Sequence, residues 1–74
     1  MDKKVLQREI EKTTKSEIEL VQFFANDYRP LDVAETLGLS IRTIEQYIFR
    51  LRSRFDCQTV GGLIGIFYRQ KLIK

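Results

Sequence analysis

The sequence predicts a small all-α domain of four helices over residues 13–74, preceded by an arm or linker over residues 1–12. Apolar residues recur at the spacing of amphipathic helices in each predicted segment. Proline, glycine and Ser/Thr residues stand where helices begin and end. The chain has 74 residues and is 43% hydrophobic, which supports one modest core and argues against disorder.

The first segments of the chain are an N-terminal arm and the first helix. Residues 1–12 are highly charged and are interpreted as a short arm, a linker remnant, or an amphipathic helix that docks on the domain. Thr14 and Glu17 stand in capping-box spacing before an apolar run. This spacing predicts a helix that begins at Lys15 and ends near Asn26. Its inward-facing side chains are predicted to be Ile18, Leu20, Val21, Phe24 and Ala25.

The only proline marks the start of the second helix, which is predicted over residues 30–37. Proline suits the first helical position because its missing N–H is not needed there. Gly38 then ends this helix, in the left-handed conformation that glycine tolerates. Ser40 is a favourable cap for the third helix, which is predicted over residues 41–55.

The fourth helix is predicted over about residues 59–70, with Thr59 as its cap. Its glycines are poor helix formers, and its Ile, Phe and Tyr content also suits a strand. A single strand in an otherwise helical chain would leave its backbone groups unpaired. A helix is therefore the better prediction.

The composition excludes several classes of function. The chain has no histidine and one cysteine, Cys57, which removes Cys/His zinc sites and His-based triads. No Gly-rich phosphate loop is present, so we expect no enzyme, no metal and no cofactor. Cys57 is interpreted as a small buried apolar residue. With no signal peptide and no apolar run near the roughly 20 residues of a membrane span, we expect a cytoplasmic protein.

The charge is distributed unevenly along the chain. Residues 1–28 carry five Lys/Arg against six Asp/Glu, a balance of −1, and residues 29–74 carry eight against four, a balance of +4. Excess positive charge in the C-terminal part suits an anionic partner such as nucleic acid.

Residues 30–55 have the plan of a helix-turn-helix, in which a tight glycine turn joins two helices and the second helix is basic. Ala34 is the fifth residue of this pair, where only a small side chain lets the helices approach, and Gly38 is the ninth, in the turn. The places that must be apolar to hold the pair together are filled by Val33, Leu37, Leu39, Ile44 and Tyr47.

The third helix separates its residues onto two faces when they are placed at 100° each. One face is apolar and is predicted to pack: Ile44, Tyr47, Ile48, Leu51 and Phe55. The other face is predicted to contact a partner: Arg42, Glu45, Gln46, Phe49, Arg50 and Ser53.

From Thr13 to Ile73 the chain resembles the LuxR/GerE-type DNA-binding domain, without a gap. The family's opening Leu-Thr-x-Arg-Glu appears as "TTKSE", and its Ile-Ala-x-x-Leu-x-Ile-Ser appears as "VAETLGLS". Its Ser-x-x-Thr-Val-x-x-His and the following Lys-Leu pair appear as Ser40, Thr43, Ile44, Tyr47 and Arg54-Phe55, and its closing helix as "LIGIFYRQKLI". The resemblance implies a four-helix domain whose third helix enters the major groove of DNA and whose fourth helix often pairs two copies.

The resemblance and the chemistry of the side chains together indicate which residues would contact DNA. The residues predicted to reach base edges are Arg42, Glu45, Gln46 and Phe49. Those predicted to hold phosphates are Arg29, Ser40, Thr43, Arg50 and Arg54. Arginine holds phosphates or binds guanine through two hydrogen bonds, and glutamine bridges adenine. Glu45 either accepts from cytosine N4 or is a solvated charge.

The apolar side chain of Phe49 leaves three interpretations open. Its ring rests on a thymine methyl group, anchors a protein partner, or is an exposed apolar residue without a role. Relatives commonly place a basic residue at positions 45 and 49 and a histidine at position 47. Glu45, Phe49 and Tyr47 stand there in this chain.

The expected function is that of a transcriptional regulator, or its output domain, that binds double-stranded DNA as a dimer. One alternative is a protein-interaction module of the same fold that binds another regulator or RNA polymerase, which Glu45 and Phe49 support. A second is the fourth region of sigma factors, which shares the "S-x-x-T-I" helix, although the apolar fourth helix favours the LuxR/GerE resemblance.

The fourth helix carries a possible dimer face, because Gly61 and Gly65 are four residues apart and allow another backbone to approach closely. The face comprises Gly61, Gly62, Gly65, Ile66, Tyr68 and Arg69, with Phe67 or Tyr68 at its edge. Either it is a dimer seam or it contacts the domain's own first helix.

Overall fold

The computed structural model describes residues 1–74 and contains five α-helices and no strand. The helices are α1 (Lys3–Lys12), α2 (Lys15–Ala25), α3 (Pro30–Leu37), α4 (Ile41–Arg54) and α5 (Val60–Arg69). The all-α prediction is confirmed, and α2 to α5 agree with the four predicted helices to within a residue or two at each end. Of the three interpretations of residues 1–12, the amphipathic helix is the one that the structure has. None of the five helices is both long and apolar enough to cross a membrane.

The helix starts are stabilised by the side chains that the sequence indicated. Glu17 N donates to Thr14 Oγ1 at 3.1 Å, and Thr14 N donates to Glu17 Oε1 at 2.8 Å, which completes the capping box of α2. Ser40 Oγ accepts from the backbone N–H of Thr43 at 3.1 Å and caps α4 in the same way. Each such cap typically stabilises a helix by about 1 kcal/mol.

The turn between α3 and α4 depends on one glycine. Gly38 has φ +68°, in the left-handed region where a side chain would be strained. The next residue, Leu39, donates its N–H to the carbonyl oxygen of Ala34 at 2.9 Å, which satisfies one of the last carbonyls of α3. This compact turn sets the position of α4 relative to α3.

The core lies between α2, α3, α4 and α5 and consists entirely of apolar side chains. Its members are Leu20, Val21, Val33, Ala34, Ile44, Ile48, Leu51, Phe55, Leu63, Phe67 and Ile73. Phe55 and Phe67 meet edge to face, with ring centroids 5.1 Å apart. Helix α1 has no buried residue, although Leu6 and Ile10 pack against the core.

Several apolar residues are less buried than the pattern predicted. Leu37, Leu39 and Tyr47 were predicted to hold the α3–α4 pair together but remain about two-fifths exposed, since they lie at an open edge beside the start of α2. Ile18, Phe24 and Ala25 are likewise only partly buried. Cys57 is also only partly buried, and this burial, with the nearby Asp56 carboxylate, raises the pKa of its thiol.

Candidate nucleic-acid interface

Helix α4 has one buried face and one exposed face. Ile44, Ile48 and Leu51 are buried against the core. The opposite surface carries a shallow, open depression of about 720 Å³. We call the residues that line it the outer face of α4: Arg42, Glu45, Gln46, Phe49, Arg50 and Arg52. It brings together all four residues that were predicted to reach base edges.

The outer face is positively charged, since three arginines accompany one glutamate. Arg42 and Arg50 form no ion pair within the chain, and Arg50 lies over the Tyr47 ring, 5.3 Å from its centroid. Glu45 also makes no ion pair and no hydrogen bond through its side chain. These charges are therefore available to a partner.

Arg52 is a member of the outer face that the sequence prediction missed. Its guanidinium lies over the Phe49 ring, 5.8 Å from the centroid. Its Nη1 donates to the carbonyl oxygen of Gln58 at 2.6 Å, in the segment after α4. An arginine three residues after an aromatic on a helix is a weak signal of such a contact. The bond to Gln58 depends on how the chain turns after α4.

The N-terminus of α4 carries two hydroxyl groups that were predicted to hold phosphates. Ser40 Oγ and Thr43 Oγ1 lie 2.9 Å apart; Ser40 is exposed and Thr43 is partly buried. They stand at the positive end of the helix dipole, an environment that favours anions.

Arg29 was also predicted to hold a phosphate, and the structure pairs it within the chain. Its Nε donates to Asp32 Oδ2 at 3.1 Å, and its backbone N–H donates to the same oxygen at 2.9 Å. These hydrogen bonds lower the pKa of the Asp32 carboxyl and raise that of Arg29. The Arg29 charge is therefore already compensated at the start of α3.

Arg54, the last of the predicted phosphate ligands, lies away from the outer face and binds α1 and α2. Its guanidinium donates to Glu9 Oε1 and to Glu17 Oε2, both at 2.8 Å. It also donates to the Glu9 carbonyl oxygen at 3.0 Å and to Thr13 Oγ1 at 3.2 Å. We call these four residues the Arg54 cluster. Its hydrogen bonds hold the N-terminal helix against the end of α4, so Arg54 has a structural partner for each of its donor nitrogens.

The hydrogen bonds between Arg54 and Glu9 in this cluster shift the pKa values of both groups. The pKa of the Glu9 carboxyl is lowered, mainly because Arg54 donates a hydrogen bond to it. Burial acts to lower the pKa of Arg54, but the hydrogen bonds to Glu9 and Glu17 oppose it and the net direction is upward. Both shifts keep the pair charged.

The glycines of α5 do not approach another helix, and the atoms nearest to them belong to α5 itself or to the residues just before it. A methyl group added at Gly61 would meet only Thr59 Oγ1 at 3.8 Å, and one at Gly65 would meet only the guanidinium of Arg69, at 3.3 Å. The sequence also allowed these glycines to make a close contact with the first predicted helix, which is α2 in the structure. That alternative is wrong at Gly61 and Gly65. Phe67 is fully buried and does not border this face, whereas Tyr68 is 65% exposed and does. The dimer seam stays a prediction.

A second concave feature lies between α2, the α3–α4 turn and α4. This groove has a volume of about 470 Å³ and is lined by Leu20, Leu37, Leu39 and Tyr47, with Glu17, Glu19 and Arg50 among its polar residues. It contains the three apolar side chains whose burial was overestimated.

Comparisons with known proteins provide no relative from which a function can be transferred. No family model matches the chain, and no match was found among the curated proteins or among the solved structures. What the protein binds is therefore inferred from the outer face of α4 itself.

Proposed function

We propose that this chain is a transcriptional regulator, or the output domain of one, that binds double-stranded DNA by inserting α4 into the major groove. The observation that carries the proposal is the outer face of α4, where arginines without an ion pair stand beside Gln46 on an exposed helix surface. An α-helix fits the major groove, and arginine and glutamine are the side chains that bind guanine and adenine there. The LuxR/GerE resemblance supports the same function. In this proposal the protein acts in the cytoplasm and requires no cofactor.

The positions of the side chains suggest a division of roles. Arg42 and Gln46 stand one turn apart on the outer face and serve as readers of base edges. Arg50, at the side of this face, holds a phosphate, and Ser40 and Thr43 bind a second phosphate at the N-terminus of α4. Phosphate contacts set the orientation, and base contacts set the sequence preference.

Binding measurements on single variants test these roles. Arg50→Ala should weaken binding to specific and unrelated duplexes alike. It should also reduce the salt slope, which is the slope of the logarithm of the binding constant against the logarithm of the salt concentration, by about 0.9, the value for one lost phosphate contact. Arg42→Ala or Gln46→Ala should instead relax the preference at one or two base pairs, at a cost of roughly 1–3 kcal/mol. Mobility-shift and fluorescence anisotropy titrations at several salt concentrations measure both effects.

The matched control for these variants is Arg8→Ala, which removes the same charge from an exposed position of α1. It should leave the salt slope and the sequence preference unchanged. If no duplex from a random pool binds better than bulk DNA at moderate salt, the chain is not a sequence-specific regulator.

A protein-interaction module is the second candidate, and the groove between α2 and α4 favours it. Leu37, Leu39 and Tyr47 expose apolar surface there, and Phe49 exposes more on the outer face. Contiguous exposed apolar surface is typical of interaction sites. Such a module would bind another regulator or RNA polymerase. This second function is favoured over DNA binding if the titrations above detect no binding to any duplex.

We further propose that two copies pair through the glycine face of α5, which would place two α4 helices on one DNA duplex. Gly65→Leu should abolish self-association, because the larger side chain keeps the second backbone away. The domain itself should stay folded, since only the flexible Arg69 guanidinium lies near this position, and leucine favours a helix by close to 1 kcal/mol over glycine. Sedimentation velocity over a concentration series measures the change.

The control for this variant is Glu35→Leu, which adds the same side chain at an exposed position of α3. It should self-associate as the unmodified chain does. A chain that stays monomeric at high concentration, or a Gly65→Leu variant that still pairs, would rule out the seam.

A further inference from the structure

Two side chains of the outer face do not suit phosphate contacts, and they stand next to each other. Glu45 and Phe49 are four residues apart on α4, so their side chains are neighbours on its surface. Glu45 makes no ion pair, although Arg42, Arg50 and Arg52 line the same depression. A carboxylate brought close to DNA is repelled by phosphates and can only accept hydrogen bonds. It therefore requires a base that presents a donor.

The Phe49 ring is exposed but supported from one side. Its exposed fraction is 61%, and the Arg52 guanidinium lies 5.8 Å from its centroid. Arg52 is itself tied to the carbonyl oxygen of Gln58 by a 2.6 Å hydrogen bond. An aromatic ring that is held before binding loses less conformational freedom when it makes a contact. Arg52 thus keeps the ring presented on the outer face.

The chemistry of the major groove restricts what this pair of side chains can recognise. The only donors there are the amino groups of cytosine (N4) and adenine (N6), and the only apolar group is the methyl at C5 of thymine. In an A·T pair the O4 acceptor of thymine lies between the adenine amino group and the methyl, and this oxygen repels a carboxylate. On a cytosine, the amino group at C4 is adjacent to C5 with no acceptor between them.

We propose that Glu45 and Phe49 together recognise a cytosine amino group beside a pyrimidine 5-methyl group, and that Arg52 is the positioning residue for the Phe49 ring. Glu45 accepts from cytosine N4, and the ring covers the methyl. The methyl belongs either to the same base, as 5-methylcytosine, or to a thymine that neighbours the cytosine. The proposal rests on the proposed function, because it requires α4 in the major groove.

The test uses the duplex of highest affinity selected from a random pool, altered at one pyrimidine at a time. Cytosine is exchanged for 5-methylcytosine, and thymine for deoxyuridine, so that each exchange changes one methyl group. We expect the methylated duplex to bind about three- to five-fold more tightly at one position, in line with the burial of a single methyl. If 5-methylcytosine at the preferred cytosine tightens binding, the amino group and the methyl group belong to the same base. If thymine beside that cytosine binds more tightly than deoxyuridine, the methyl group belongs to the neighbouring base.

Three variants assign the effect to residues. Phe49→Ala should remove the methyl preference, and Glu45→Ala should remove the preference for cytosine over thymine while it strengthens binding to unrelated DNA. Arg52→Met should reduce the methyl preference. If Arg52 only holds a phosphate, this variant will instead lower the salt slope and leave the methyl preference intact. Tyr47→Ala is the matched control, since Tyr47 is the other aromatic of α4 with an arginine over its ring, and it lines the groove beside α2.

The outcomes separate this inference from the function on which it rests. A chain that prefers one sequence but binds methylated and unmethylated duplexes equally at every position overturns the inference and leaves the DNA-binding function intact. A methyl preference that survives Phe49→Ala overturns it as well. If no duplex is bound, both proposals fail.

Discussion

Phe67→Ala is expected to lower the free energy of unfolding by about 3–5 kcal/mol, the largest effect of any substitution considered. Phe67 is fully buried near the end of α5, and its ring packs edge to face on Phe55. Removing the ring leaves a cavity at the centre of a small core. Since a domain of this size is stable by only about 4–11 kcal/mol, a large part of the variant should be unfolded under mild conditions.

Urea denaturation followed by circular dichroism measures this effect. The next residue supplies the control, because Tyr68 is 65% exposed and Tyr68→Ala should change the free energy of unfolding by no more than about 0.5 kcal/mol. Similar losses for the two variants would mean that α5 does not pack as the structure has it.

Arg54→Ala is expected to release α1 and to lower the free energy of unfolding by about 2 kcal/mol, because it removes charge-assisted hydrogen bonds to Glu9 and Glu17. The side chain is 26% exposed, so solvent screening keeps the loss well below that of a fully buried pair. Hydrogen exchange should show the amides of α1 losing protection before those of the core. Arg42→Ala removes an exposed arginine without an ion pair and should leave the protection of α1 unchanged.

The same contact predicts how α1 responds to acid. The pKa of Glu9 lies below its ordinary value of 4.5 in the folded chain, mainly because Arg54 donates a hydrogen bond to its carboxylate. The stabilisation from Glu9 is therefore present above about pH 4.5 and is lost as the pH falls through the lower folded pKa. Protection of the α1 amides should decrease in this range, and Arg54→Ala should abolish that dependence.

These measurements also decide between two roles for Arg54. If Arg54 holds a phosphate, as the resemblance implied, its replacement will lower the salt slope of DNA binding and leave α1 docked. If it serves the Arg54 cluster, α1 will be released and the salt slope will be unchanged. We expect the second result, because each of its donor nitrogens already has an acceptor within the chain.

The helix boundaries and their caps could be predicted from the sequence because they depend on bonds between residues a few positions apart. The Thr14–Glu17 capping box closes over three residues, and Ser40 binds the N–H of Thr43. Gly38 adopts its left-handed conformation for a local steric reason. The buried stripe of α4 followed equally from helical periodicity, which also placed Arg42, Gln46 and Phe49 together on one surface.

The orientation of the helices decided the rest, because periodicity tells which side chains share a face but not what stands opposite that face. Arg54 finds Glu9, which is 45 residues away in sequence, only because α1 lies against the end of α4. Tyr47 lies on the apolar side of α4, yet α2 does not cover it, and it borders an open groove. The glycines of α5 are free for the same reason, since α5 packs on the core through Leu63 and Phe67 and turns Gly61 outward. Such contacts depend on the crossing of whole helices, which no local pattern of residues specifies.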